Sequence, residues 1–330
     1  MSPSAVDISA ICSSATGPFA DALRKLERYA VNEHPVVLLG PTGTGKSTLA
    51  RFVHERSLRA RHPFEAVNLG GLDDALAGST LFGHELGAFT GATRRHPGAF
   101  QSAHGGTLFC DEFAKASLTV QRKLLDVLDR QAVRPLGAAR DVPVNVRLIF
   151  AANEPLVELV AAGRLLHDFL PRLGLMHVRL PRLRERAHEI PDLLRHFIQK
   201  HGPRMGYADL LPRATVELEA NLQRHQWPEN LRELENLTIR LLADAGGREE
   251  LTSDLLVDEI AHYDHRRCLL EMKSPDDDLR IAEAIARAGG NKAQAARDLG
   301  VGRSTLYRKL GATRFSPLGD ARQTRPSRPA

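Results

Sequence analysis

The chain has 330 residues, 42% hydrophobic and 26% charged, with a formal charge of +5 and an isoelectric point near 9.3. It is long enough for two or three domains, since single cores stop growing at about 250 to 300 residues, and its mild basicity is compatible with a nucleic-acid partner without establishing one. Cys12, Cys110 and Cys268 are too few and too scattered for a disulfide framework, no apolar run is long enough to mark a membrane span, and "MSPSAVDISAICSSATG" lacks the basic start and apolar centre of a secretory signal. A cytoplasmic multidomain chain with no membrane partner is expected.

In chain order, the apolar run "PVVLL" (35–39) ends in "GPTGTGKS" (40–47), after which Leu49, Phe52 and Val53 adopt helical spacing. Strand, glycine loop and helix in that order make a P-loop. Its backbone amides and the helix N-terminus suit phosphate oxygens, Lys46 bridges the outer phosphates of ATP, and Ser47 is a ligand for Mg2+. Gly40, Thr42, Gly43, Thr44, Gly45, Lys46, Ser47 and Thr48 are the candidate nucleotide-binding residues. Further short apolar runs, "EAVNL" (65–69), "GTLFCDE" (106–112) and "VRLIFAAN" (146–153), alternate with amphipathic stretches such as "VQRKLLDVLDR" (120–130). That alternation predicts an α/β domain with a mainly parallel sheet.

The strand "TLFCDE" ends in two acids. Asp111 is placed to hold magnesium beside Ser47, and Glu112 to polarise the attacking water. Asn153 and Asn68 end two other strands, where polar side chains reach ligands in a nucleotide-binding sheet. Between them, "HELGAFTGATRR" (84–95) fits neither a core strand nor a solvated loop: two glycines flank a lone phenylalanine. It reads as a flexible arm with one apolar contact residue.

Beyond about residue 180 the strand signals fade, and "IPDLLRHFIQKH" and "LRELENLTIRLLADAG" carry helical spacing, a lid to about residue 245. "HYDHRRC" (262–268) spaces His262, His265 and Cys268 at intervals of three, but with no fourth ligand nearby a solvated connector is the better reading. Near the end, Ile281, Ala284 and Ile285 share a helix face, Asn291 can cap a second helix with Ala295 and Ala296, "LGVG" turns, and "RSTLYRKL" begins a third. This is a helix-turn-helix. Arg303, Ser304, Thr305, Arg308 and Lys309 face DNA, mostly its phosphates. The basic, proline-containing tail reads as disordered.

Taken together, "GPTGTGKS", "LFGHELGAFTGA", "GGTLFCDE", "LPRLRER" and "WPENLREL" resemble, in order, the AAA+ ATPase domain of sigma-54-dependent transcription activators. The C-terminal segment resembles their Fis-type DNA-binding domain. The resemblance implies an extension at 1–19, an ATPase core at 20–180, a lid at 181–250, a linker at 251–277, a helix-turn-helix at 278–312 and a tail at 313–330. It also implies that Gly87, Ala88, Phe89, Thr90, Gly91 and Ala92 contact sigma-54. Asn68 would hold Glu112 in a waiting state, Asn153 would be sensor I, Arg232 sensor II and Arg172 an arginine finger in trans.

Several positions depart from the family pattern. Leu166 stands where a first finger arginine is usual, "AAN" replaces "ATN", Leu86 replaces a lysine, and Glu229 replaces a glycine. The implied protein is a ring-forming ATPase, commonly a hexamer, that binds upstream enhancer DNA and remodels sigma-54 RNA polymerase holoenzyme. The missing finger raises a second possibility, a DNA-binding regulator with weak or vestigial hydrolysis, or one subunit of a hetero-oligomer with a related activator. With so few residues ahead of the ATPase core, control is expected from expression level or from a separate regulatory protein.

Overall fold

The computed structural model describes residues 17–173, 176–207 and 211–256, together with 285 and 287. The chain divides into two compact units, Met1–Thr252 and Ser253–Ala330. In the second, Ser253–Leu256 forms a 3-10 turn and Ile285 and Arg287 are helical. Asn291, Arg303, Ser304, Thr305, Arg308 and Lys309, the His262–Cys268 segment and the tail lie outside the described residues.

The first unit opens with helix α1 (Gly17–Ala30), then β1 (Val36–Leu39), α2 (Lys46–Glu55), β2 (Phe64–Asn68), α3 (Asp74–Phe82), α4 (Gly98–Ser102) and β3 (Thr107–Asp111). There follow α5 (Leu118–Arg130), a small antiparallel pair β4 (Ala132–Val133) and β5 (Val142–Pro143), β6 (Arg147–Ala152), α6 (Leu156–Ala161), α7 (Phe169–Leu173) and β7 (His177–Arg179). The central sheet has the order β2-β3-β6-β1-β7, and every pairing in it is parallel. The four strands expected from sequence are present. The edge strand β7 is added by its pairing with β1, its short polar-flanked run giving little signal alone.

Because side chains alternate across a strand, the sheet separates two cores. Val37, Leu108, Cys110, Leu148, Phe150 and Ala152 face one cluster. Val36, Leu38, Phe109, Ile149 and Ala151 face the other, which takes in Leu23 and Leu26 of α1 and Phe52 of α2. Burial and the neighbouring Asp111 push the Cys110 thiol up to about 12, so it packs as an apolar group.

β6 begins with a charge. Arg147 is 1% exposed, and its guanidinium donates to Ala30 O at 2.5 Å and Tyr29 O at 2.6 Å, the last carbonyls of α1. A cation there complements the helix dipole and satisfies orphan acceptors. Arg147→Met is expected to lower unfolding free energy by about 2–4 kcal/mol, since two charge-assisted bonds are lost; denaturant titration checks it.

The lid consists of α8 (Ile190–His201), α9 (Val216–Arg224) and α10 (Asn230–Ala245), with a two-residue parallel pairing of β8 (Arg213–Ala214) and β9 (Glu250–Leu251). Thr215 caps α9 by accepting from Leu218 N, and Pro191 sits in the first turn of α8, where a missing N–H costs nothing.

Candidate nucleotide site and arm

β1 delivers the loop 40–45 to the N-terminus of α2, where Lys46 and Ser47 begin the helix. Lys46 is 7% exposed and folds back: Nζ donates to Gly40 O at 2.7 Å, Pro41 O at 3.0 Å and Asn153 Oδ1 at 2.9 Å. Burial lowers its pKa below the usual lysine range, against the opposing pull of Asp111 and Glu112. These contacts hold an ammonium beside amides that suit phosphate oxygens.

Asp111, Glu112, Asn153 and Asn68 come together because parallel strands carry them to one edge. Asn68 pairs with Asp111 in register, and Leu39, just before the loop, pairs with Ala152. Asp111 bonds to Ser47 and accepts from Glu112 N at 2.9 Å; burial raises its pKa, with Lys46 the main opposing influence. Glu112 takes a left-handed φ of 52°, strained for a residue with a side chain. Its Oε1 accepts from Lys115 Nζ at 2.9 Å and Asn153 Nδ2 at 3.4 Å. The other oxygen leans on Gly70, where a Cβ would lie 1.8 Å from Oε2. Asn68 lies on the same cleft, but its Oδ1 accepts from Gly70 N at 2.7 Å, and the hydrogen bonds on Glu112 come from Lys115 and Asn153.

The lid closes the cleft from α10. Asn230, 2% exposed and at φ 55°, donates through Nδ2 to Thr42 O at 2.9 Å and accepts from Leu183 N at 2.9 Å. Leu231 N donates to Gly43 O at 2.9 Å. The residue after the proline of "WPEN" therefore has no need of glycine: Glu229 sits at φ −97°, and its amide bonds to Glu233. Arg232 borders the cleft, which measures about 410 Å³ and is lined by residues 42–49, Asn68, Asp111, Glu112 and Asn153. Asn230, Gly70 and Lys115 were missed by sequence reasoning.

Arg172 is not among the lining residues. It lies on α7, bound bidentately to Asp129 at 2.8 and 2.7 Å and to Asp168 O at 2.9 Å. At the first finger position, Leu166 packs against the core, its amide held by the buried Gln121 at 3.0 Å.

The arm is compact. Gly87 and Gly91 have φ of 78° and 101°, conformations that favour glycine. Gly87 N donates to Ala92 O at 2.9 Å, closing the tip. Phe89 remains 39% exposed and meets the His84 ring edge-on at 4.9 Å between centroids; Leu86 is 69% exposed. At the neck, His84 and His96 exchange backbone bonds, and Gly83 and Gly98 pack so closely that a Cβ on Gly98 would lie 2.3 Å from Gly83 N.

Residues 13–179 match the family described as sigma-54 interaction domain, residues 184–267 the AAA+ ATPase lid domain, and residues 280–312 the bacterial regulatory protein, Fis family. The transcriptional regulatory protein ZraR of Klebsiella oxytoca is 37% identical over 292 residues, covering 87% of this chain and 66% of that protein. The DNA-binding transcriptional regulator NtrC of Escherichia coli is 37% identical over 318 residues, covering 88% and 67%. The chain thus spans about two thirds of the length of these relatives. The crystal structure of NtrX from Brucella abortus in complex with ATP aligns with a TM-score of 0.67 at 31% identity, covering 93% of this chain and 70% of that one.

Proposed function

This chain belongs to the sigma-54-dependent transcription activators, a family of AAA+ ATPases with a Fis-type DNA-binding domain, and from that premise we propose that it hydrolyses ATP to drive its arm against sigma-54-bound RNA polymerase. The observation that carries the proposal is the convergence of Lys46, Asp111, Glu112 and Asn153 on one cleft, in a chain whose "GAFTGA" segment is an ordered arm ending in a partly exposed Phe89.

Lys46 binds the outer phosphates, and Arg232 touches nucleotide from the lid. Glu112 orients and deprotonates water in line with the terminal phosphate. Ser47 and Asp111, two oxygen donors already bonded to each other, suit Mg2+, which neutralises phosphate charge when bound. Arg172, outside its own cleft, acts on the ATP of a neighbouring subunit, which requires a ring, commonly a hexamer. The helix-turn-helix tethers that ring to upstream enhancer DNA in the cytoplasm.

The test is open-complex formation on a sigma-54 promoter with purified full chain and ATP. Glu112→Gln is expected to lose hydrolysis by at least about a thousandfold while still binding ATP. Phe89→Ala is expected to hydrolyse ATP without opening the promoter. A Phe89→Ala protein that opens the promoter as well as wild type refutes the arm's role.

A second reading is favoured by Leu166 alone, whose inward packing leaves Arg172 as the one arginine at the two finger positions. Here the chain is the weakly hydrolysing half of a hetero-oligomer with a related activator subunit. Hydrolysis that appears only on mixing with that subunit would establish it.

A further inference from the structure

Glu112 is gripped by a cation to which the nucleotide site gives no role. Lys115 ends the 3-10 turn Phe113–Lys115, and the left-handed backbone at Glu112 starts that turn. Lys115 N donates to Glu112 O at 2.8 Å, which brings its side chain back so that Nζ meets Oε1 at 2.9 Å. Asn153 approaches the same oxygen at 3.4 Å, while Oε2 lies against Gly70. A carboxylate that takes a proton from water needs an unoccupied lone pair facing that water, and an ammonium on Oε1 competes with water for it.

We propose that Lys115 is a positioning residue that restrains Glu112 and thereby limits hydrolysis. The resemblance gives this restraint to Asn68, whose Oδ1 instead accepts from the Gly70 amide. The inference rests on the reading of Glu112 as general base. The restraint is weak by construction: the Lys115 side chain is 57% exposed against 19% for Glu112. Partly exposed ion pairs shift an equilibrium only about two- to fivefold. Glu112 is thus retarded rather than disabled.

The experiment is steady-state ATP hydrolysis by the full chain, comparing wild type, Lys115→Met, Lys115→Arg, Glu112→Gln and the double variant Lys115→Met/Glu112→Gln. Lys115→Met is expected to raise kcat about two- to fivefold at unchanged KM. Lys115→Arg, which keeps the cation, restores the restrained rate, and the rise disappears in the Glu112→Gln background. A thermal melt and an equilibrium ATP titration on Lys115→Met separate this from a folding or binding defect. An unchanged or lower kcat in Lys115→Met overturns the proposal, as does a rise that persists without the Glu112 carboxylate. If Glu112→Gln alone hydrolyses at the wild-type rate, the general-base reading itself has failed, and the restraint falls with it.

Discussion

Gly70→Ala is expected to reduce kcat for ATP hydrolysis about a hundredfold or more while leaving ATP affinity within a small factor of wild type. The added methyl would lie 1.8 Å from Glu112 Oε2 and 2.9 Å from its carboxyl carbon, so the carboxylate must move. A displacement of about 1 Å at a reacting group is enough to cost two orders of magnitude. Gly70 does not have the left-handed φ of Gly71 beside it, so alanine meets no backbone strain and the fold is retained. Lys46 and the loop 40–45 are untouched, which is why binding persists. Steady-state kinetics paired with an equilibrium titration of ATP tests both halves. Wild-type kcat in Gly70→Ala would mean that Glu112 does not act where this structure holds it.

Asn230→Ala is the second large expectation, this time in stability. Asn230 joins lid to P-loop, and its replacement removes the bond to Thr42 O and leaves Leu183 N–H without its acceptor in a buried place. Alanine at φ 55° adds backbone strain. Together these predict a loss of about 3–5 kcal/mol. Asn230→Gly relieves the strain but not the lost bonds, and is expected to recover about 1 kcal/mol of the deficit. Urea titrations of the three proteins resolve the two contributions. Equal stability of the alanine and glycine variants would show that the hydrogen bonds alone set the cost. Because Thr42 belongs to the P-loop, Asn230→Ala should also weaken ATP binding more than Gly70→Ala does.

Much of this was legible in the sequence, for identifiable reasons. β1, β3 and β6 announce themselves because strands buried on both faces must be continuously apolar, and a glycine loop between strand and helix has few other uses. The arm was readable as something other than a core strand because Gly87 and Gly91 do not suit one, and both take a positive φ that favours glycine. Asn230 was not readable. Its partners lie 47 and 188 residues away, and nothing local distinguishes it from a helix-start asparagine. Nothing in the sequence separates Lys115 from a solvated lysine; only the left-handed turn at Glu112 brings it back onto the carboxylate. Leu166 was readable as a departure but not as a packed residue, since only the fold brings Gln121 to its amide.

The neck at Gly83 and Gly98 has a mechanical consequence. α3, about 13 Å long at 1.5 Å per residue, runs from the loop that carries Gly70 to the neck, where two chain segments are in backbone contact and His84 and His96 are cross-linked by hydrogen bonds. A joint closed in this way has little compliance. On the proposed function, torque delivered along α3 would reach the tip as rotation of a stiff lever instead of dissipating as bending at its base. The glycines at the tip would supply the give, which would put the soft part of the device at its working end and the stiff part at its pivot.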